Sequence, residues 1–425
     1  MSSSEYMVLV PAGLVAGIAS SDASWGYLNM RFETSEKLAI VTGFWRKEEY
    51  GQTATDGWLG SHYSRDVVVG KRGLWFDAQP ELNSRHRWMT QRGNDYLLNL
   101  DVFRELVRDG WKIPGQSEWP VLTLCSEGDG PGVAGWWVSA NGARPAQLAQ
   151  VDDRSSWSFL TEEQWPVATC SEAKVTVVGL GSIGSAVAEA LAFYGIGNLA
   201  LVDPDRLLQH NVVRHQLSVR DIGRHKVNAT AEHLRSRWPE LKVDRYPLDV
   251  SEDADVMRPL FARSDLIICT ADGVTARRVT NHLARRARKP LVLACVLESG
   301  ALGEVMRLRA GRGCLLCQRA DLVARRSLDP EPRLDRGYGL GTRHLPMTAI
   351  GGDLRLVADF AAKAAVATLL ERKGDFSQAL PDDVFTVGLR PVPDLEEPFD
   401  LTRSCETRWS SLPPKRPDCP TCGSQ

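Results

Sequence analysis

From Lys174 onwards, short apolar runs alternate with longer segments in which apolar residues recur every three or four positions. This alternation predicts buried strands separated by amphipathic helices, and therefore an α/β fold with a doubly wound parallel sheet. The predicted strands are Lys174–Val178, Leu199–Val202, Leu241–Tyr246, Asp265–Thr270 and Leu291–Cys295. The predicted helices are Ser185–Tyr194, Lys226–Arg237, Val274–Arg288 with an Arg-rich outer face, and Leu354–Leu370.

The first 165 residues have a different pattern, with short apolar runs and little regular alternation. Eleven of the 13 tryptophans precede residue 166, so we predict a separate mixed α/β N-terminal domain over residues 1–165. The doubly wound α/β domain would then occupy residues 166–378, followed by a Pro-rich tail over 379–425. In the N-terminal domain we predict strands at Tyr6–Val10, Leu38–Phe44, Val67–Val69 and Val121–Cys125, a helix at Tyr96–Val107, and a loop at 128–135.

The overall composition narrows the functional classes. With 43% hydrophobic residues, 24% charged residues and a net charge of −2, the chain gives no reason to expect nucleic acid or membrane as a partner. No apolar run approaches the roughly 20 residues that span a bilayer, and the N-terminus does not resemble a secretory signal. We therefore expect a cytoplasmic protein.

A glycine motif follows the first strong strand. Gly179, Gly181 and Gly184 form G-x-G-x-x-G, and Asp203 follows 19 positions after the last glycine. Such glycines permit a tight turn and bring phosphate close to the N-terminus of a helix. NAD, FAD, S-adenosylmethionine and ATP can all use this arrangement, so an NAD-dependent oxidoreductase is an alternative at this point.

The residues after the motif favour ATP. Asp205, Asn211, Arg214 and Lys226 follow the second strand, and Asp272 comes just after the strand that ends at Thr270. Ligands bind outside the carboxyl ends of parallel strands, where these residues are expected to meet. Arginine and lysine offset phosphate charge, and a carboxylate can hold Mg²⁺. This set predicts a site for a polyphosphate with magnesium.

Four of the nine cysteines form two Cys-x-x-Cys pairs, Cys314 with Cys317 and Cys419 with Cys422. In a reducing compartment this spacing favours a metal site over disulfides. Four thiolates form a closed tetrahedral Zn²⁺ site, so we predict a structural zinc that holds the C-terminal tail against the second domain.

These motifs, in this order, resemble the ThiF/MoeB superfamily, which includes the ubiquitin-activating enzymes, over about residues 170–370 and the terminal cysteines. The resemblance implies a Rossmann-like adenylation domain that joins the C-terminal carboxylate of a small ubiquitin-like β-grasp protein to AMP. It places Asp203 on the ribose, and Asn211, Arg214 and Lys226 on the phosphates. It places Asp272 on Mg²⁺, and it implies a homodimer and a further arginine that we cannot assign.

Many relatives also carry a catalytic cysteine, which forms a thioester, between the first cysteine pair and the next helix. Residues 318–354 contain no cysteine, so either the reaction stops at the adenylate or another thiol serves, with Cys405 the best candidate. A conjugation pathway, such as those in bacterial antiviral defence, with a conjugating enzyme as a further partner, is the leading expectation. Activation of a sulfur-carrier protein and a non-catalytic ThiF-derived scaffold are alternatives, and the N-terminal domain is expected to be non-catalytic.

Overall fold

The structure is a computed structural model, and the chain divides into two compact units, Met1–Glu163 and Gln164–Gln425. It describes residues 6–33, 37–46, 49–53, 71–92, 96–113, 118–127, 130–151, 164–297, 300–325, 349–390 and 395–423. The strand predicted at Val67–Val69 lies outside these residues. No helix in the described part is both long enough and apolar enough to cross a membrane.

The N-terminal unit is built around one sheet of eight strands. The strands are β1 (Met7–Pro11), β2 (Trp25–Glu33), β3 (Leu38–Arg46), β4 (Glu49–Thr53), β5 (Lys71–Asp77), β6 (Trp119–Glu127), β7 (Gly130–Ser139) and β8 (Gly142–Val151). The helices are α1 (Ala12–Ala19), α2 (Pro80–Arg92) and α3 (Leu100–Leu106). Because β1 pairs with both β8 and β3, all the strands except β4 form a closed ring of seven. Strand β4 lies outside this ring and pairs with β3.

Tryptophans supply much of the core of this unit, which accounts for their concentration in the sequence. Trp75 and Trp136 are fully buried in the two clusters that fill it. Two sequence predictions were wrong in detail. Residues 130–135, predicted as a loop from their glycines, belong to β7. The helix predicted from Tyr96 begins at Leu100, because the side chain of Asn99 accepts the backbone N–H groups of the first turn.

The C-terminal unit has a second eight-stranded sheet. Its strands are β9 (Lys174–Val178), β10 (Asn198–Val202), β11 (Lys242–Tyr246), β12 (Leu266–Cys269), β13 (Leu291–Leu297), β14 (Leu302–Leu308), β15 (Val384–Gly388) and β16 (Thr407–Ser410). Its helices are α4 (Val167–Glu172), α5 (Ser182–Phe193), α6 (Lys226–Arg237), α7 (Ala254–Arg263), α8 (Val274–Arg286), α9 (Leu315–Ala324) and α10 (Gly351–Glu371).

The strand order is β11-β10-β9-β12-β13-β14-β15-β16. The first five strands of this order are parallel, as the sequence predicted, and the last three pairings are antiparallel. The chain leaves β9 for β10 on one side and reaches β12 on the other, so the order reverses beside β9. This reversal is the point at which open α/β sheets bind their ligands.

The segment predicted as a Pro-rich tail contributes β15 and β16 to the sheet, so residues 384–388 and 407–410 are part of the domain sheet rather than an appendage. Phe385 is buried and stacks on Phe360 of α10, with ring centroids 4.0 Å apart. Burial of these apolar side chains removes surface from water and stabilises the edge of the sheet.

A buried carboxylate ties together the helices that surround the sheet edge. Glu189 of α5 accepts hydrogen bonds from His233 of α6 at 3.4 Å and from Arg355 of α10 at 2.6 Å. The bond from His233, helped by Arg355 and opposed by burial, lowers the pKa of Glu189 to about 2. Glu189 therefore stays ionised and fixes three helices whose N-terminal ends lie at the carboxyl edge of the sheet.

Candidate functional site

Three strands end side by side at the reversal of the strand order. Val178 of β9 lies opposite Val202 of β10 and Cys269 of β12, so the residues that follow these three positions are neighbours. The sheet register therefore brings together the glycine turn, Asp203 and the segment that leads to Asp272, as the sequence predicted.

The glycine turn packs tightly against the segment after β12. Gly179 has a φ of 86°, in the left-handed region, and a Cβ on it would lie 2.7 Å from the backbone nitrogen of Ala271. A Cβ on Gly184 would lie 1.9 Å from the carbonyl oxygen of Gly179 and 2.5 Å from Oγ1 of Thr270. A Cβ on Gly181, at the start of α5, would meet no described atom within 4 Å. Gly181 therefore borders open space from which a ligand can approach the backbone.

Asp203 follows β10 directly and braces the glycine turn. Its Oδ2 accepts the backbone N–H of Leu180 at 2.6 Å, and its Oδ1 accepts that of Asp205 at 2.8 Å. Burial raises the pKa of Asp203, and the positive charge of Lys226 opposes that shift. The ribose role implied by the family resemblance stays a prediction, while the geometry shows that this carboxylate holds the turn in place.

Lys226, the first residue of α6, reaches back to the same place. Its Nζ donates to Oδ2 of Asp205 at 2.8 Å and lies 3.8 Å from Oδ1 of Asp203. Burial alone would lower the pKa of Lys226, but the charges of Asp203 and Asp205 outweigh it, and the pKa is raised. The lysine is therefore a buried, fully charged ammonium at the end of the crevice, beside the more exposed carboxylate of Asp205.

The segment between β10 and α6 is held by its own side chains. Oδ1 of Asn211 accepts the backbone N–H of Leu208 at 2.9 Å and so begins a short 3-10 helix over Gln209–Arg214. His215 is buried; its Nε2 lies 2.8 Å from the carbonyl oxygen of Leu180, and its Nδ1 accepts a backbone N–H. Burial lowers the pKa of His215 to about 4, so the ring is neutral and donates through Nε2. This histidine links the 3-10 segment to the glycine turn, a contact that the sequence did not predict.

Arg214 ends the 3-10 helix and lies beside the start of α10. A Cβ on Gly351 would lie 3.4 Å from Cα of Arg214, so the backbones approach closely there. The charge of Arg214 opposes the rise in the pKa of Asp272, which indicates that the two residues lie near the same crevice. Asn211 stabilises the 3-10 helix that carries Arg214, and so helps to hold that arginine at the crevice.

Asp272 lies in the turn between β12 and α8 and is an exposed residue of that turn. The protein that surrounds it displaces bulk water and raises its pKa, while the charges of Arg277, Arg214 and Lys226 oppose that shift. Three cations from three different elements therefore lie near enough to favour the ionised form of one carboxylate at the carboxyl edge of the sheet.

Arg277 is a site residue that the sequence analysis missed. The helix Val274–Arg288 was predicted to keep its arginines outward, but Arg277 is buried and its Nε donates to the carbonyl oxygen of Ala271 at 2.8 Å. Arg285 is also turned inward, whereas Arg286 is exposed. The helical spacing of the sequence could have indicated this burial, because Arg277 lies on the same face of the helix as Asn281 and Ala284, which are also buried.

The crevice thus contains cations suited to phosphate and carboxylates suited to a hard divalent cation. Magnesium is usually held by one or two carboxylates together with substrate phosphates and water. The accessible Asp272, with Asp205 nearby, fits that pattern. The negative charge of a bound polyphosphate would be offset by Arg214, Lys226 and the N–H groups at the start of α5.

The four predicted zinc ligands come together in the structure. The Sγ atoms of Cys314, Cys317, Cys419 and Cys422 all lie within 4.8 Å of one another, and all four residues are buried. Sγ of Cys314 lies 3.5 Å from that of Cys419, and Sγ of Cys317 lies 3.5 Å from that of Cys422. Tetrahedral zinc with Zn–S bonds of about 2.3 Å separates its sulfurs by about 3.8 Å, so the cluster fits this metal and not a disulfide.

Of the other five cysteines, Cys125, Cys170, Cys269 and Cys295 are buried, and Cys405 is exposed. Cys405 has a φ of 62°, and its backbone N–H donates to the carbonyl oxygen of Gly388 at 2.7 Å. Gly388 ends β15 at the edge of the sheet where β13 also ends. Cys405 is therefore at the same edge as the crevice but several strands away.

Curated relatives share parts of this region. The molybdopterin-synthase adenylyltransferase of Salmonella typhimurium is 30% identical over 147 residues, covering 34% of this chain and 58% of the relative. Ubiquitin-like modifier-activating enzyme 5 of Bombyx mori is 27% identical over 251 residues, covering 56% and 61%. The ATP-dependent ubiquitin transferase-like protein Cap2 of Enterobacter hormaechei is 32% identical over 100 residues, covering 23% and 17%. This chain thus spans less than two thirds of each of these relatives.

A family match covers the crevice itself. Residues 155–373, just over half of the chain, match the ThiF family, and this range includes the glycine turn, the charged residues of the crevice and the first cysteine pair. The crevice geometry and the match agree, and the chain belongs to the ThiF family.

Proposed function

We propose that the chain is an adenylyltransferase that uses ATP to activate the C-terminal carboxylate of a small ubiquitin-like protein. One observation carries the proposal: Lys226 is held by the two aspartates that follow β10, one of which braces the glycine turn, and the charges of Lys226 and Arg214 both act on Asp272. The names of the relatives, which include two adenylating or activating enzymes, support the same reaction class.

The reaction needs electrostatic help rather than a general base. A C-terminal carboxylate, with a pKa of about 3.3–3.7, is ionised at neutral pH. Its oxygen attacks the α-phosphorus of ATP, the new O–P bond forms, and the bond to the β-phosphate oxygen breaks to release pyrophosphate. No proton is transferred, so the demand on the protein is to bring two anions together and stabilise the charge that develops.

The crevice residues can divide this work. We assign phosphate binding to Arg214 and Lys226, and to Asn211 through the turn that it caps. Asp203 keeps the glycine turn in place and is assigned to the ribose, with Asp205 beside it. Asp272 is assigned to magnesium, which when bound would polarise the phosphate and offset its charge.

An NAD-dependent oxidoreductase is a poorer fit to the same residues. Dinucleotide binding uses the acidic residue after the second strand but gives no role to Arg214 after β10 or to Asp272 after β12. A non-catalytic scaffold likewise gives no reason for Lys226 to be held charged and buried between two aspartates. Both alternatives therefore leave the central charges of the crevice unexplained.

The substrate class and a homodimeric assembly are both proposed from the family. Val213, which precedes Arg214, is 86% exposed, and Ile350, which precedes Gly351, is 72% exposed, so both side chains are available to a partner. The preferred pathway is bacterial ubiquitin-like conjugation, with antiviral defence as one setting and a conjugating enzyme as a further partner. Activation of a sulfur carrier is the second candidate, favoured by the molybdopterin-synthase relative.

The direct test is ATP–pyrophosphate exchange with candidate ubiquitin-like proteins and sulfur carriers. We expect label from pyrophosphate to enter ATP only when a partner with a free C-terminal carboxylate is present. The same partner with a C-terminal amide is the matched control, because it keeps the fold and removes the attacking oxygen. Exchange that is equal with the amide, or absent with every β-grasp partner, would contradict the proposal.

We further propose that Cys405 accepts the activated carboxyl group if the reaction continues past the adenylate. Three strand spacings, about 14 Å, separate β12 from β15 at this edge of the sheet, so a substrate tail has to move a short distance to reach it. The thiolate sulfur would attack the carboxyl carbon, the C–S bond would form and AMP would leave. The thiol proton would pass to water.

The thioester step has its own measurement. Incubation with ATP and the ubiquitin-like partner is expected to give an adduct that survives denaturation and disappears with a thiol reductant. Cys405→Ala should lose the adduct and retain pyrophosphate exchange, while Cys170→Ala, at a buried cysteine, should retain both. An adduct that persists in Cys405→Ala would assign the thioester to another residue.

A further inference from the structure

Helix α8 connects the crevice to the cysteine cluster through one face. Arg277, Asn281 and Arg285 are spaced four residues apart, so their side chains project from the same side of the helix. Arg277 makes a polar contact at the crevice, and Asn281 and Arg285 make theirs at the segment around Cys314. The helix has 13 residues and is therefore about 20 Å long.

The first contact is at the crevice. Nε of Arg277 donates to the carbonyl oxygen of Ala271 at 2.8 Å, and Ala271 precedes Asp272. Burial raises the pKa of Asp272, and the same guanidinium is the strongest of the positive charges that oppose that rise. Arg277 is buried, so its position is fixed by packing as well as by this bond. It therefore holds the backbone of the turn that carries Asp272.

The second and third contacts are at the cysteine cluster. Oδ1 of Asn281 accepts the backbone N–H of Leu315, the first residue of α9. Leu315 follows Cys314 directly and precedes Cys317 in the same helical turn. Arg285 donates to the carbonyl oxygens of Arg309, Arg312 and Gly313 at 2.8, 2.8 and 2.9 Å. These carbonyls belong to the loop that leads into Cys314. The far half of α8 is thus fixed by the segment that carries two of the four thiols.

A buried ion pair stiffens the same region. Arg319 of α9 and Glu304 of β14 form two hydrogen bonds, at 2.9 and 2.6 Å, and both residues are buried. Glu304 lies opposite Cys295 of β13. Strand β13 pairs with β12, the strand that leads into the Asp272 turn. A buried pair with two bonds resists any displacement that would separate its charges. Helix α9 therefore cannot shift without disturbing the sheet beneath the crevice.

We infer that α8 couples metal binding at the four cysteines to nucleotide binding in the crevice, with Arg277 as the positioning residue for Asp272. Metal at the cluster fixes the loop before Cys314, the loop fixes Arg285 and Asn281, and the helix carries Arg277 into place. The inference rests on the proposed function, since it takes the crevice to bind ATP. It assigns the cluster an influence on the reaction in addition to its structural role.

Thermodynamic linkage gives a test that needs no protein substrate. If metal strengthens ATP binding, ATP must strengthen metal binding by the same factor. We would measure the apparent zinc dissociation constant of the full-length protein by competition with a chelator, with and without saturating ATP and Mg²⁺. For the wild type, ATP is expected to lower that constant by about fivefold or more.

Two neighbouring arginines provide the matched variants. Arg285→Ala removes the three bonds to the loop, whereas Arg286→Ala removes an exposed side chain from the same turn. ATP should leave the zinc constant of Arg285→Ala and of Asn281→Ala unchanged, and should lower that of Arg286→Ala as in the wild type. Direct binding of zinc to ATP would change the apparent zinc dissociation constant of all four proteins by the same factor. The comparison of the variants therefore separates this effect from the coupling.

The outcomes distinguish the two proposals. A wild-type zinc constant that does not respond to ATP, or an undiminished response in Arg285→Ala, overturns the coupling. ATP–pyrophosphate exchange that occurs normally in the same wild-type sample shows that the proposed function survives that failure. An ATP response of the zinc constant without exchange for any partner would support the coupling and count against adenylation. Circular dichroism of each variant checks that the fold is retained.

Discussion

Replacement of Asp272 by alanine is expected to reduce the kcat of ATP–pyrophosphate exchange by about 100- to 1,000-fold, the range seen when one preorganised charge-stabilising group is lost. The KM for MgATP should rise by no more than about fivefold, the size of the coupling expected through Arg277. The crevice keeps the positive charges of Arg277, Arg214 and Lys226 when the carboxylate is gone, and these still attract the ground-state polyphosphate. The larger loss should therefore appear in the chemical step, where the position of the metal matters.

Asp272→Asn and Asp244→Asn make the comparison sharper. Asp272→Asn keeps the size of the side chain and removes its charge, and should lose nearly as much exchange as alanine. Asp244 is an exposed carboxylate on β11, and the same change there should leave exchange unaffected. Steady-state exchange at varied ATP and magnesium gives kcat and KM separately. A rise in KM with an unchanged kcat would show that Asp272 serves binding alone and would contradict the assignment to the metal.

The sequence predicted the elements that form the crevice because their signals are local. The strand that ends at Val178 and the helix that begins at Lys226 have the predicted bounds, since each is a strong run beside a glycine or a polar turn. The order of Asp203, Arg214, Lys226 and Asp272 was also sufficient to place them at one edge, because parallel strands all end there. The prediction thus depended on topology rather than on any measured contact.

The contacts within the site depend on distant parts of the chain and could not be predicted in this way. His215 reaches the carbonyl oxygen of Leu180, 35 positions earlier, and nothing near it in sequence indicates that partner. Arg277 was misassigned because a row of arginines on a helix is usually exposed, and only tertiary packing turned two of them inward.

The strands of the C-terminal segment were missed for a related reason. Residues 384–388 form a fully buried strand, but prolines on both sides of it favoured a loop. Its pairing with β14 supplies the hydrogen bonds that a short run cannot provide alone. In the N-terminal unit, the glycines of residues 130–135 misled in the same direction, because pairing with β6 overrides their low strand propensity.

Replacement of Cys317 by serine is expected to lower zinc content from about one ion per chain to a small fraction and to destabilise the C-terminal unit. The remaining three thiols cannot complete a closed tetrahedral site, and a hydroxyl is a poor zinc ligand. Metal binding to such sites is worth about 10–16 kcal/mol in small zinc domains, so a loss of even ~4 kcal/mol would lower Tm by roughly 8–16 °C. Elemental analysis and thermal unfolding of the same samples measure both effects.

The exposed thiol at position 405 supplies the control for this prediction. Cys405→Ser makes the same chemical change outside the cluster and should leave zinc content and Tm unchanged. The loss in Cys317→Ser should be centred on the C-terminal segment, because Gly313 donates its N–H to Pro413 at 2.9 Å and the tail reaches the domain at the cluster. Hydrogen exchange should therefore rise first in residues 411–423. If Cys317→Ser keeps its zinc and its Tm, the four thiols do not form the metal site. The coupling through α8 is then also contradicted, because it starts from metal bound at these thiols.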